Sequence, residues 1–290
     1  MKTVLPYDQV LKVAFDHDMS HRYAQAEPLY RQLLARRADD EFVNDSLIRV
    51  LYMQGKFEEA MAIYDVAVHR GFFPCDSGFD KIYARALAAT GNCPSPLKRR
   101  HRFHTLLELL SRSFPLEGES AECGCYRGMS SYLMCSRLRQ QEPSFSGKTY
   151  HIFDSFQGLS APTFDDDVPD DHPNAQSLRI MTTAGFFSAP LSTVKQNLQE
   201  FPDIAFHPGW IPFCFWGLPD SRYRFVHLDV DLYDPTLESL EYFHPRMARG
   251  GIIVSDDYGW PGARRAIDEF CAERGIALSV TKNEQAVIIV

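Results

Sequence analysis

From about residue 119 the sequence alternates short apolar runs with helical patterns, and most of the runs stop on an acid or a glycine. The runs are Ser120–Cys123, Thr149–Phe153, Ile204–His207, Arg224–Asp229, Gly251–Ser255, Ala277–Lys282 and Ala286–Val290. Strand and helix in alternation predict an α/β domain built on a doubly wound, mainly parallel sheet. Only Asn283-Glu284-Gln285 separates the last two runs, which therefore read as a terminal antiparallel hairpin. Sheets of this kind bind ligands at the carboxyl ends of their strands. The run-ending residues Glu122-Cys123-Gly124, Asp154, Gly209, Asp229 and Asp256-Asp257 all fall there.

The first ninety residues follow a different period. Tyr23, Ala26 and Tyr30 recur 34 positions later as Phe57, Ala60 and Tyr64, and Leu33 becomes Ala67. A small residue between two aromatics at that period is the tetratricopeptide pattern, with Gly55 in the turn between paired helices. The reading is an all-α, tetratricopeptide-like module over 1–92, with Tyr23, Tyr30, Phe57 and Tyr64 buried between helices. So short an array offers little concave surface; its roles are cover, a dimer contact or a protein partner. Asn92-Cys93-Pro94-Ser95-Pro96 is a breaker cluster and sets the boundary, with 93–290 as the second domain. An amphipathic helix over Leu97–Ser113 follows, its stripe being Phe103, Leu106, Leu107 and Leu110.

Composition narrows the function. The formal charge is −8, from 30 basic against 38 acidic side chains. A chain that grips nucleic acid usually presents the opposite sign, so no nucleic-acid partner is expected. The short basic run Lys98-Arg99-Arg100-His101-Arg102 reads as a solvated helix start. No apolar run nears the ~18 residues that span a bilayer, and residues 1–8 lack a signal-peptide core. The seven cysteines are dispersed and mostly apolar in context, so they read as buried thiols in a reducing, cytoplasmic setting.

Glu122-Cys123-Gly124-Cys125-Tyr126-Arg127-Gly128-Met129-Ser130 joins the first strand to its helix. Gly124 and Gly128 let the backbone turn tightly and approach a ligand. Their spacing is not the dinucleotide fingerprint, which disfavours a nicotinamide cofactor. Asp154, at the end of the second strand, is placed to accept from ribose hydroxyls. Together these features point to an adenosine cofactor without a pyrophosphate bridge, and S-adenosylmethionine fits; an ordinary strand-to-helix turn is the alternative.

Asp229, Asp256 and Asp257 come from adjacent strand ends and would repel one another without a cation. All-oxygen ligands select Mg²⁺, with Mn²⁺ or Ca²⁺ as substitutes, and a solvated acidic rim is the alternative. Asp234-Pro235 reads as a helix N-cap. The long acidic stretch after Asp154, which includes Asp165-Asp166-Asp167 and His172, reads as a lid over the site.

Asp154-Ser155-Phe156-Gln157-Gly158-Leu159, Pro208-Gly209-Trp210, Asp229-Val230-Asp231-Leu232-Tyr233 and Asp256-Asp257-Tyr258 resemble, in that order, the macrocin and mycinamicin sugar O-methyltransferases. The likeness covers roughly 100–290. It implies a class I methyltransferase fold, Rossmann-like, that moves a methyl group from S-adenosylmethionine to a sugar hydroxyl of a natural product or glycan. It implies that Asp229, Asp256 and Asp257 hold Mg²⁺, and that Glu122, Gly124, Ser130, Asp154 and Ser155 lie along the cofactor. The neighbouring Arg127, Gly128, Gly209 and Trp210 are candidates for the same surface. Leu232 stands where related catechol methyltransferases carry a lysine base, so the proton goes to Asp229, to His172 or to solvent. A homo-oligomer is expected. The rival readings are a tetratricopeptide scaffold with an inactive methyltransferase-like domain, and a metal-independent methyltransferase of protein or lipid.

Overall fold

The computed structural model describes residues 5–67, 77–92, 97–170, 178–179 and 181–290. The helices α1 (Tyr7–Met19), α2 (Tyr23–Arg36), α3 (Glu41–Met53), α4 (Phe57–Ala67), α5 (Ser77–Thr90) and α6 (Leu97–Arg112) come first. The chain forms two compact units, and α5 runs from one into the other: the smaller unit ends this stretch at Asp80, while Lys81–Asn92 and Arg102–Val290 form the larger.

In the smaller unit α1 to α4 each pack on the next. The contact stripe is Val10 and Ala14, then Ala26, Tyr30 and Leu33, then Val43, Leu47 and Leu51, then Ala60 and Tyr64. Steps of three and four keep these side chains on one helical face. Tyr30 and Tyr64 are buried and Tyr23 is half-buried; the side chain of Phe57 lies outside the described residues. Asp18 is buried in this core, where it accepts a 3.1 Å hydrogen bond from Tyr30 Oη and pairs with Arg49. Burial pushes its carboxyl up, against the pull of Arg49 and Tyr30.

The larger unit carries the sheet: β1 (Glu119–Cys123), β2 (Tyr150–Asp154), β3 (Ala205–Pro208), β4 (Tyr223–Leu228), β5 (Met247–Ser255), β6 (Leu278–Val280) and β7 (Ala286–Ile289). Their spatial order is β3-β2-β1-β4-β5-β7-β6. Strands β1 to β5 pair in parallel, and β7 runs antiparallel to both β5 and β6. The α/β class and the terminal hairpin expected from the sequence are both present. Strand β5 starts four residues before the expected Gly251, because the ladder jumps from Tyr223↔Met247 to Phe225↔Ile252 and so absorbs three extra residues around Arg249-Gly250 as an irregularity. Glycines inside a strand mark such sites as readily as they mark its end.

Helices α7 (Met129–Gln141), α8 (Leu191–Asn197), α9 (Tyr233–Phe243) and α10 (Pro261–Arg274) complete the described elements that matter here. Strand order reverses between β1 and β4, and the crevice beyond their carboxyl ends is the switch point where such sheets take ligands. Asp234 is not the cap of α9, as its Asp-Pro context suggested. The helix starts at Tyr233, whose N–H donates to Asp166 Oδ1 at 2.6 Å. A loop carboxylate 67 positions away thus serves the helix end. No helix among the described residues is long and apolar enough to cross a membrane.

At the other edge, His151 Nδ1 and His207 Nε2 lie 3.0 Å apart, and the His207 ring stacks on Phe153 with centroids 4.4 Å apart. Burial, and then the neighbouring His151, hold the His207 imidazole down to about 4. An unfolded chain takes up that proton near 6.5, so stability is expected to fall as pH drops from about 6.5 towards 4. His207→Phe should flatten this part of the curve in urea denaturation at stepped pH; a slope equal to the parent's would contradict the assignment.

Candidate active site

The parallel ladder continues one residue past the strand ends. Gly124 N–H donates to Phe153 O, Asp229 N–H to Cys123 O, Asp256 N–H to Leu228 O and Gly209 N–H to Asp154 O, each at 2.9 Å. Register therefore puts the sequence's run-ending residues along one edge. Gly124 has φ +79°, and a Cβ there would sit 1.9 Å from Asp229 O, so the two loops touch backbone to backbone. Only glycine permits that approach. Gly128, φ +85°, opens α7.

Asp154 holds the glycine turn from the next strand. Its Oδ2 accepts the N–H groups of Cys125 at 2.7 Å and Tyr126 at 3.3 Å, and its Oδ1 that of Phe156 at 2.6 Å. Ser155 Oγ donates to Gly158 O at 2.7 Å, and Trp210 Nε1 donates to the same carbonyl at 3.3 Å. The Asp-Ser-Phe-Gln-Gly turn and the Gly209-Trp210 corner are thus neighbours, with Trp210 exposed. Ser130 is buried. The Arg127 guanidinium lies against Gly91, where a Cβ would come 3.0 Å from Nη2, and its carbonyl accepts from Asn197. His172 lies outside the described residues.

Glu122 differs from its expected role at a ligand surface. It has no exposed area, and its carboxylate takes hydrogen bonds from Ser131 Oγ and Tyr150 Oη and meets His227 Nδ1 at 3.0 Å. As placed it anchors β1 to α7, β2 and β4, and presents nothing to a cofactor. His227 in turn has Nε2 3.3 Å from Asp256 Oδ1. Burial alone would depress this imidazole, but the two carboxylates hold it well above the usual histidine range. Residue-by-residue reading missed this buried chain because His227 lies in an apolar strand pattern.

The acids divide into two sets that share Asp229. Oxygens of Asp229, Asp231 and Asp257 lie within 4.8 Å of one another, and so do ligating atoms of His227, Asp229 and Asp256. Asp231, which the sequence reading passed over, enters because its backbone takes φ +61°. Asp257 Oδ2 accepts from Val230 N at 2.8 Å and Asp231 N at 2.9 Å. Burial, then Asp231 and Asp229, push its carboxyl well up. Burial would raise Asp256 too, but Arg102 and His227 outweigh that and hold it well below the carboxylate range. The three expected metal-binding acids therefore do not form one ligand group, since Asp257 sits with Asp229 and Asp231 and Asp256 with Asp229 and His227, and they are electrically unlike. Asp257 crowds other anions, whereas Asp256 faces cations.

The macrocin O-methyltransferase (TylF) family description matches residues 97–289. An 8-demethyl-8-(2,3-dimethoxy-alpha-L-rhamnosyl)-tetracenomycin-C 4'-O-methyltransferase of Streptomyces olivaceus is 29% identical over 164 residues, covering 55% of this chain and 60% of that protein. A mycinamicin III 3''-O-methyltransferase of Micromonospora griseorubida is also 29% identical over 164 residues, covering 55% of this chain and 63% of its own length. The chain thus spans less than two thirds of these relatives. The calicheamicin methyltransferase CalS11 shares the fold, with TM-score 0.54 and 21% identity over 72% of this chain and 91% of its own. With two thirds of its length matched, this chain belongs to the macrocin O-methyltransferase family.

Proposed function

We propose that the protein is an S-adenosylmethionine-dependent O-methyltransferase acting on a hydroxyl of a sugar in a glycosylated natural product or glycan, with a divalent cation at the acid cluster. One observation carries the reading. Asp229 presses its backbone against the glycine turn while its carboxylate belongs to the acid cluster, so cofactor turn and acid cluster adjoin. Family membership, and the rhamnosylated tetracenomycin named for one of the relatives, support the acceptor class.

The donor set fits a hard cation. Asp229, Asp231 and Asp257 supply oxygens only, and Asp257 is pushed up by burial and then by the other two, whose repulsion a cation removes. Such an ion supplies a lowered hydroxyl pKa and a template for the acceptor oxygen. The chain's own residues do the rest. Asp154 and the 124–130 turn hold the adenosine end of the cofactor, and the tight Gly124 approach keeps Cβ atoms out of its way. Positioning of an already electrophilic sulfonium methyl against the hydroxyl accounts for much of the acceleration. Asp229 takes the hydroxyl proton in this scheme, since it alone belongs to both halves of the site.

Asp154→Ala is expected to weaken S-adenosylhomocysteine binding by about 10- to 100-fold, because it releases three backbone N–H groups and removes the ribose acceptor. Calorimetry on the full chain checks this, and unchanged affinity would sink the cofactor assignment. Labelled methyl transfer to rhamnosylated polyketides, run beside protein and lipid acceptors, tests the acceptor class. Label on protein or lipid alone would favour the rival reading.

A further inference from the structure

Two members of the basic run at the start of α6 turn inward instead of staying solvated: Arg100, buried and paired with Asp80, and Arg102. Arg102 is only 21% exposed in its side chain, and its Nε lies 3.6 Å from Asp256 Oδ2. That Nε is buried and makes no hydrogen bond. Gln285, fully buried at the start of β7, fixes the pair: its Nε2 donates to Asp256 Oδ1 at 2.7 Å and to the Arg102 carbonyl at 3.2 Å. With His227 also on Oδ1, both oxygens of Asp256 face positive or donor groups. Asp229, Asp231 and Asp257 form the other side of the cluster, and the Arg102 charge acts on them as well.

We propose that Arg102 is the resident counter-cation of this cluster: it ties up Asp256 and sets how weakly the remaining carboxylates take a divalent ion. The proposal rests on the metal reading above. A guanidinium this close does two opposed things. It steadies the acids when no ion is bound, and it repels a dication that enters among them. An arginine reaching in from another helix thus acts as a positioning residue, and the strand-end acids alone give no measure of their own affinity for metal. Its long stem also packs, so the charge must be separated from the volume.

Arg102→Met keeps most of the stem and removes the charge; Arg102→Lys keeps the charge and loses the planar fork. Mn²⁺ binding to the full chain is read by electron paramagnetic resonance, without cofactor or acceptor. Removing a unit charge beside the site should tighten Mn²⁺ by about tenfold in Arg102→Met. Arg102→Lys should stay within about threefold of the parent, as the charge and not the fork sets the repulsion. Arg102→Gln, neutral but polar, serves if the methionine variant does not fold, with the same tightening expected. Tighter binding in the neutral variants, including the case where only they bind, supports the proposal. A parent that binds Mn²⁺ beside folded neutral variants of equal or weaker affinity overturns it. If neither the parent nor the neutral variants bind Mn²⁺, the metal reading falls, and this inference falls with it.

Discussion

A Gly124→Ala variant is expected to lose about 2–5 kcal/mol of stability, roughly the sum of a left-handed alanine and an overpacked backbone contact, and to lose S-adenosylhomocysteine binding as well. Gly124 sits at φ +79°, where a Cβ already costs about 1–2 kcal/mol. The larger cost is the 1.9 Å approach of that Cβ to Asp229 O. Neither loop can step aside cheaply. Gly124 N–H is bonded to Phe153 O, Asp229 N–H is bonded to Cys123 O, and both bonds extend the central ladder. Parting the loops would break the edge that carries Asp154 on one side and Asp229 on the other. Gly217→Ala is the control. It has φ +75° but open space around its Cβ position, so it should cost only the conformational share, about 1–2 kcal/mol. Urea denaturation of both variants measures the difference, and equal losses would show that the backbone contact does not matter.

That contact marks how far the sequence could be read. The strand ends were legible because parallel strands buried on both faces read as short apolar runs, and the chain places its turn and ligand residues where the runs stop. Register then does what periodicity cannot: it lines Gly124 up with Asp229, and Asp229 with Asp256, across strands more than a hundred residues apart in Gly124 and Asp229. The buried chain from Glu122 through His227 to Asp256 was not legible. Glu122 was read from its place beside the glycine turn, and nothing local distinguishes a strand-end acid facing solvent from one facing a histidine 105 positions away. Arg102 was hidden for the same reason, since four other basic or titratable residues precede it in the run and nothing in the run itself tells which of them the helix turns inward. Asp231 was hidden by a backbone angle, φ +61°, that an Asp tolerates better than most residues but does not announce. In the helical half, the aromatic-small-aromatic spacing predicted buried Tyr30 and Tyr64, because burial of a helix face is a local periodic property.

Neutralising Asp257 should separate the two sets of acids. In Asp257→Asn an oxygen remains to accept from Val230 and Asp231, so the loop between β4 and α9 keeps its hydrogen bonds. What is lost is one charge among Asp229, Asp231 and Asp257, and with it the attraction for a hard dication. Affinity for Mg²⁺ or Mn²⁺ is expected to fall by about 100-fold or more, since all-oxygen sites bind largely through ligand charge. S-adenosylhomocysteine affinity should hold within about threefold, because Asp154 and the glycine turn sit on other strands and pay none of that electrostatic cost. Without metal, Asp257→Asn should be at least as stable as the parent, as burial and two neighbouring anions already disfavour the charge it removes. Asp256→Asn should behave in the opposite way. It leaves Arg102 and the buried His227 without their shared anion, and breaking such a pair from one side costs about 3–5 kcal/mol. Methyl transfer should fail in Asp257→Asn, stop in the parent with chelator, and return with Mg²⁺ or Mn²⁺. Full turnover by the parent in excess chelator would show that the acids serve the fold and not a metal. Equal stability losses in the two variants would show that Asp256 and Asp257 are not electrically distinct, and the division of the cluster would fall.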